Sequence, residues 1–173
     1  MPIETPSKVF QELVEQHRGI LFKVAKAYCP HEEEQQDLVQ DMMIQIWQSM
    51  HRYDPQYKIS TWVYRIALNV AISHYRKNMH RQRKQATISA QVKSTPDLEA
   101  SEKEHQLKLL EQFINELKEL DKALMVLYLE DRSHAEIAEI IGISVSNVAT
   151  KIGRIKDKLK QRFSQQKIIQ NGR

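Results

Sequence analysis

Apolar residues recur through this chain with the spacing of amphipathic helices, and strand-like alternation is nearly absent. Such a chain can bury its apolar stripes only by packing helix against helix. The pattern lapses once. From about Lys77 to Ser101 the apolar content collapses, and the stretch reads as an exposed linker, helical at its edges. A length of 173 residues suits two small units, each with a modest core. The expected fold is all-α: two small helical domains, residues 7–77 and 102–165, joined by a flexible linker over 78–101, with a helix-turn-helix in the second.

The spacing predicts a first helix over Pro6–Tyr28, with Thr5 as N-cap and Pro6 at the first position. Its stripe is Phe10, Leu13, Val14, Ile20, Leu21 and Val24, and Pro30 breaks the pattern. A second helix, Glu32–His51, has an acidic first turn suited to its dipole and a stripe of Leu38, Met42, Ile46, Trp47 and Met50. Asp54-Pro55 marks Arg52–Ile59 as a loop. A third helix from Ser60 is expected to bury Trp62, Ile66, Val70 and Ala71. A fourth, Glu102–Leu120, carries Leu107, Leu110, Ile114 and Leu117 on one face, and a fifth, Lys122–Leu129, is short and strongly apolar.

The net charge of +4 hides a sharp segregation. Residues 74–96 carry six bases and no acid, and residues 151–173 carry eight bases and one acid. Two such blocks point to a polyanionic partner, because each neutralised phosphate releases counterions. The longest apolar run, Ala123–Leu129, is far short of the ~20 residues a membrane helix needs. The start, MPIETPSKVF, has no apolar stretch behind a basic head, and the single Cys29 suits a reducing cytoplasm. Secretion and membrane insertion are therefore not expected. Cys29-x-His31 with Glu34, and His74 with His80, lack the spacing of a zinc site. With no Gly-rich phosphate loop or nucleophile elbow either, no catalysis, metal or cofactor is expected.

The most specific local pattern is SHAEIAEIIGISVSNVATKIGRIKDKL, residues 133–159. Ser133 and Glu136 have capping-box spacing, and Ile137, Ala138 and Ile141 face inward on a short helix. Gly142 permits a tight turn, and Ser144 can cap a second helix with Val148, Ile152, Ile155 and Leu159 inside. This is helix-turn-helix patterning, in which the second helix enters the major groove of duplex DNA. Its outward residues are Ser146, Asn147, Thr150, Lys151 and Arg154, with Lys156 and Lys158 continuing the charge. Asn can read adenine, while Lys and Arg can read guanine or hold phosphate.

In the N-terminal half Tyr53, Tyr57, Trp62, Tyr64 and Tyr75 are interleaved with Lys58, Arg65, Arg76 and Lys77. Aromatics that stack unpaired bases, beside cations that hold the backbone, are the apparatus of single-strand binding; taken singly, each ring is better explained by core packing. Asp37, Gln40 and Asp41 form a polar helix face suited to a basic partner or simply to solvent.

The segments DLVQDMMIQIW (Asp37–Trp47) and YDPQYKISTWVYRIALNVAISHYRK (Tyr53–Lys77) resemble region 2 of an extracytoplasmic-function (ECF) sigma factor. LKELDKALMVLYLEDRSHAEIAEIIGISVSNVATKIGRIKDKL (Leu117–Leu159) resembles region 4 of the same family. The resemblance runs from about Gly19 to Phe163, and no segment of region 3 length separates the halves, which favours the ECF group over primary sigma factors. It implies that Asp37, Gln40 and Asp41 bind the clamp coiled coil of core RNA polymerase. The loop Tyr53–Ser60 and the face around Asn69 would then capture unstacked bases of the −10 element, with Tyr57, Lys58, Arg65, Arg76 and Lys77 around them. Ser146, Asn147, Thr150, Lys151, Arg154 and Lys158 would meet the −35 element as duplex. The implied partners are core polymerase and promoter DNA, with an anti-sigma factor as a further candidate, and the free protein would be a cytoplasmic monomer.

Leu68 stands where many members of that family have Arg, and Ser73 where an acid is common, both near the implied −10 reading face. Gly153, midway along the second helix, costs about 1 kcal/mol relative to Ala. The competing reading is a conventional helix-turn-helix regulator that binds palindromic duplex as a dimer. It accounts for the C-terminal half but not for the aromatic-basic third helix.

Overall fold

A computed structural model describes residues 6–85 and 102–171, so Thr5 and most of the expected linker lie outside the described residues. Among those described there are seven α-helices, one 3₁₀ turn and no strand. The chain divides between Lys84 and Gln85 into two compact units.

In the first unit α1 (Pro6–Tyr28), α2 (Glu32–Ser49) and α3 (Ile59–Gln85) enclose one core. Leu21, Val24, Ala25 and Tyr28 of α1 meet Leu38, Val39, Met42 and Ile46 of α2, and Val63, Tyr64, Ala67, Leu68 and Ala71 of α3 complete the interior. Helix α2 ends at Ser49 and tightens into a 3₁₀ turn over Met50–Arg52, earlier than the expected His51.

Two parts of the expected stripes are corrected. Trp47 is 45% exposed, packing edge-on to Phe10 at 5.1 Å rather than in the core. In α3 the inner face is rotated by about one residue from the expected one: Val63, Tyr64, Ala67 and Leu68 are buried, while Trp62, Ile66 and Val70 are half-buried. Periodicity finds an apolar arc; when that arc is broad, the packing partner selects which edge goes inside. Helix α3 continues to Gln85, so the start of the apolar-poor stretch is helix.

The second unit contains α4 (Glu102–Asn115), α5 (Glu119–Leu129), α6 (His134–Ile141) and α7 (Val145–Asn171). Helix α4 stops five residues short of the expected Leu120 and buries Leu109, Phe113 and Ile114, leaving Leu107 exposed and Leu110 half-buried. Helix α5 is buried continuously from Lys122 to Leu127 and packs against α7.

The turn between α6 and α7 follows the expected pattern. Ser133 Oγ accepts from the Glu136 amide at 3.2 Å, and the Glu136 carboxylate accepts from the Ser133 amide at 3.0 Å, closing the capping box. Gly142 adopts φ 80°, and the amides of Gly142 and Ile143 both donate to the Ala138 carbonyl, at 2.8 and 3.2 Å. Ser144 Oγ then accepts from the Asn147 amide at 3.2 Å and starts α7. A Cβ at Gly142 would meet nothing within 4 Å, so the left-handed backbone alone demands glycine. Gly142→Ala should therefore lower unfolding stability by about 1 kcal/mol, read from urea melts. An unchanged midpoint would contradict this account.

Candidate nucleic-acid interface

The second unit presents α7 with its inner side on the core through Val148, Ile152, Ile155 and Leu159. On the opposite side Ser146, Asn147, Thr150 and Arg154 are exposed, and Lys151 is half-buried at the edge. These are the residues the sequence assigned to that face. The Thr150 hydroxyl donates to the Ser146 carbonyl at 2.9 Å, so toward a ligand it offers lone pairs and a methyl group. Lys156 sits on the flank, its Nζ donating to Tyr128 Oη at 3.2 Å and lying 5.2 Å from the ring centroid. Lys158 is exposed. A Cβ at Gly153 would meet open space, so nothing in the fold requires glycine there.

In the first unit the loop after α2 organises itself. The Asp54 carboxylate accepts from the Gln56 amide at 3.0 Å, the Asp54 carbonyl accepts from the Tyr57 amide at 3.1 Å, and Tyr53 Oη donates to the Tyr57 carbonyl at 2.8 Å. Tyr53 in turn rests on Trp62, with ring centroids 5.4 Å apart. Tyr57 is thereby held outward, 43% exposed, with the Arg65 guanidinium 5.7 Å from its ring centroid. Of the five rings interleaved with cations, Tyr53, Tyr57, Trp62, Tyr64 and Tyr75, Tyr57 alone is exposed. Tyr64 is 1% exposed, and Tyr75 packs edge-on to Tyr28 at 6.1 Å.

Asp37, Gln40 and Asp41 are exposed together along α2. Between α2 and α3 lies a groove of about 600 Å³, with Asp41, Ile44, Gln45 and Ser49 on one wall. Ile66, Asn69, Val70, Ser73, His74 and Lys77 form the other. The groove brings Asp41 and Asn69, assigned separately from the sequence, to one cleft. Lys58, Arg76 and Lys77 are exposed, and Arg65 is half-buried. Leu68 is 2% exposed and belongs to the core, whereas Ser73 lines the groove.

Sequence reasoning missed Ile44. It is 54% exposed on the same side of α2 as Asp37, Gln40 and Asp41, about one turn beyond them, and it lines the groove. A signal for it existed: it falls off the Leu38–Met42–Ile46 stripe, where an isoleucine has no core to enter.

Comparison with known proteins fits this arrangement. Sigma-70 region 2 matches residues 13–81, and Sigma-70, region 4 matches residues 107–159. The pair defines the class as a sigma-70 factor built from these two regions. The ECF RNA polymerase sigma factor RpoE of Cereibacter sphaeroides is 28% identical over 161 residues, 91% of this chain and 86% of its own length. SigW of Bacillus subtilis, another ECF sigma factor, is 25% identical over 169 residues, 89% of this chain and 88% of its own. The fold is shared with RpoE of Bartonella quintana, solved with the anti-sigma factor NepR (TM-score 0.70, 18% identity, 91% of this chain and 98% of that one). It is shared also with CnrH bound to the cytosolic domain of CnrY (TM-score 0.65, 23% identity, 91% and 89%). This chain belongs to the ECF group of the sigma-70 family. Its function is promoter-directed transcription initiation with RNA polymerase, and the dimeric regulator is not favoured, because region 2 accounts for the N-terminal unit.

Proposed function

We propose that the two units divide the promoter by strandedness, and that one face of the first holds the enzyme. Residues 7–77 act as the unit for core polymerase and the −10 element, 78–101 as the linker, and 102–165 as the −35 reader. Asp37, Gln40 and Asp41 dock the polymerase clamp, with Ile44 as an apolar contact at the end of that face. Tyr57 offers an aromatic face to an unpaired base, the Asn69 amide holds a base edge, and Lys58, Arg65, Arg76 and Lys77 neutralise the strand. In the second unit Asn147, Lys151 and Arg154 read or clamp the −35 duplex, flanked by Ser146, Thr150 and Lys158. The observation that carries this reading is the single groove with Asp41 on one wall and Asn69 on the other.

That groove also suits an inhibitor. A helix laid across Ile44, Ile66 and Val70 would cover both walls at once, and two proteins of this fold are known with anti-sigma partners. The free protein acts in the cytoplasm as a monomer, and polymerase supplies all the chemistry. Run-off transcription with purified core polymerase on a library of promoter fragments tests the reading; initiation at random ends with and without the protein would overturn it.

Asn69→Ala should weaken binding of a single-stranded −10 oligonucleotide by the assembled holoenzyme about 5- to 100-fold, through one base position only. Fluorescence anisotropy across oligonucleotides varied at each position reads this. A uniform loss at all positions would assign Asn69 to the backbone instead.

A further inference from the structure

We propose that the first two turns of α7 select T·A pairs in the −35 duplex by packing on thymine C5-methyl groups. The proposal rests on the assignment of α7 to the −35 element and names the chemistry read there. Val145 is 49% exposed, and Ala149 and Thr150 are exposed with it. Val145 is not needed to fix the helix start. The Ser144 hydroxyl caps it, and Ile143 and Val148 stand at the two positions a hydrophobic staple uses. At 100° per residue Asn147, Lys151 and Arg154 share one flank of the outward face. Val145 and Ala149 share the other, and Thr150 lies between the two flanks. Within these turns the flank opposite the cations is therefore made of methyl groups.

Thr150 narrows the choice of base. Its hydroxyl donates to the Ser146 carbonyl at 2.9 Å, so it has no proton left for the acceptors that guanine presents. It offers a methyl group and oxygen lone pairs. A T·A pair matches both, because the major groove shows a methyl on thymine and an N–H on adenine. A C·G pair supplies an N–H but no methyl. From Val145 to Ala149 the helix rises about 6 Å, a little under two base-pair steps, so the apolar flank spans adjacent thymines. Asp157 is exposed on the same side as Thr150, seven positions further on. Its negative charge is repelled by phosphate, which confines base contact to the turns before it.

The test uses holoenzyme assembled from the full-length chain and a promoter fragment selected by run-off transcription from a randomised library. The fragment is remade with uracil in place of each −35 thymine in turn, which removes the methyl and keeps the base pair. The selected −35 segment should hold at least two adjacent T·A pairs, and uracil at each should lower affinity about fourfold. Thr150→Ser keeps the hydroxyl and removes the methyl, so it should bind the thymine and uracil forms of one position equally. Val145→Thr, of the same shape, should do so at a neighbouring position, and Thr150→Val should retain the preference for thymine. Circular dichroism of each variant checks that the helices persist. A selected segment without thymine, equal affinity for every uracil form, or a uracil loss that Thr150→Ser leaves intact would overturn the proposal. If scrambling the whole −35 segment leaves affinity unchanged, the assignment of α7 to that element itself fails.

Discussion

Replacing Asp37 and Asp41 together by lysine is expected to abolish co-purification of the folded protein with core RNA polymerase. Both carboxylates are exposed, while Leu38, Met42 and Ile46 between and beyond them are fully buried, so the docking face changes and the core does not. Loss of one partner from a desolvated charge pair costs about 2–5 kcal/mol, and charge reversal adds repulsion, so an affinity loss beyond roughly 100-fold follows. Ile44→Ala should weaken the same complex about tenfold by removing the apolar contact at the end of that face. The two effects separate by salt: the loss from charge reversal shrinks as ionic strength rises, and that from Ile44 does not. Titration of labelled protein with core polymerase at two salt concentrations measures both. Retained binding by the folded double variant would remove this face from the polymerase contact.

Alanine at Lys151 and at Arg154 is expected to impair −35 recognition in two distinguishable ways. A side chain that reads a base edge costs about 1–3 kcal/mol on removal and relaxes preference at one position. One that holds phosphate weakens all sequences alike and lowers the salt slope by about one. The inner face of α7 is locked on the core by Val148, Ile152 and Ile155, so these side chains cannot rotate inward. Lys156→Ala should leave preference unchanged and lower the salt slope, because Tyr128 is neutral and leaves its exposed ammonium charged. Lys158→Ala should lower the slope without changing preference. Open-complex formation on a library of −35 variants at two salt concentrations provides the readout. If Lys151→Ala and Arg154→Ala both leave preference and salt dependence intact, α7 is not the reader.

Local physics made much of this protein legible from its residues alone. The all-α class follows from apolar spacing. The turn between α6 and α7 follows from Ser133, Glu136, Gly142 and Ser144, because caps and left-handed turns depend on neighbours within a few positions. The outward face of α7 follows in the same way, since its apolar arc is narrow and leaves one choice of orientation. Broad arcs were not so decisive. Trp62 and Tyr64 lie two residues apart and so project from nearly opposite sides of α3, and the packed core took Tyr64 inside and left Trp62 to Tyr53. Trp47, which periodicity would bury, stays at the surface on Phe10, while Ile44 is left exposed among acids and amides. The groove is likewise tertiary: Asp41 and Asn69 are 28 positions apart in the chain, and nothing local relates them. Sequence fixes what each helix can present; which faces meet, and so which residues share a cleft, is decided by the core that helices distant in the chain bury together.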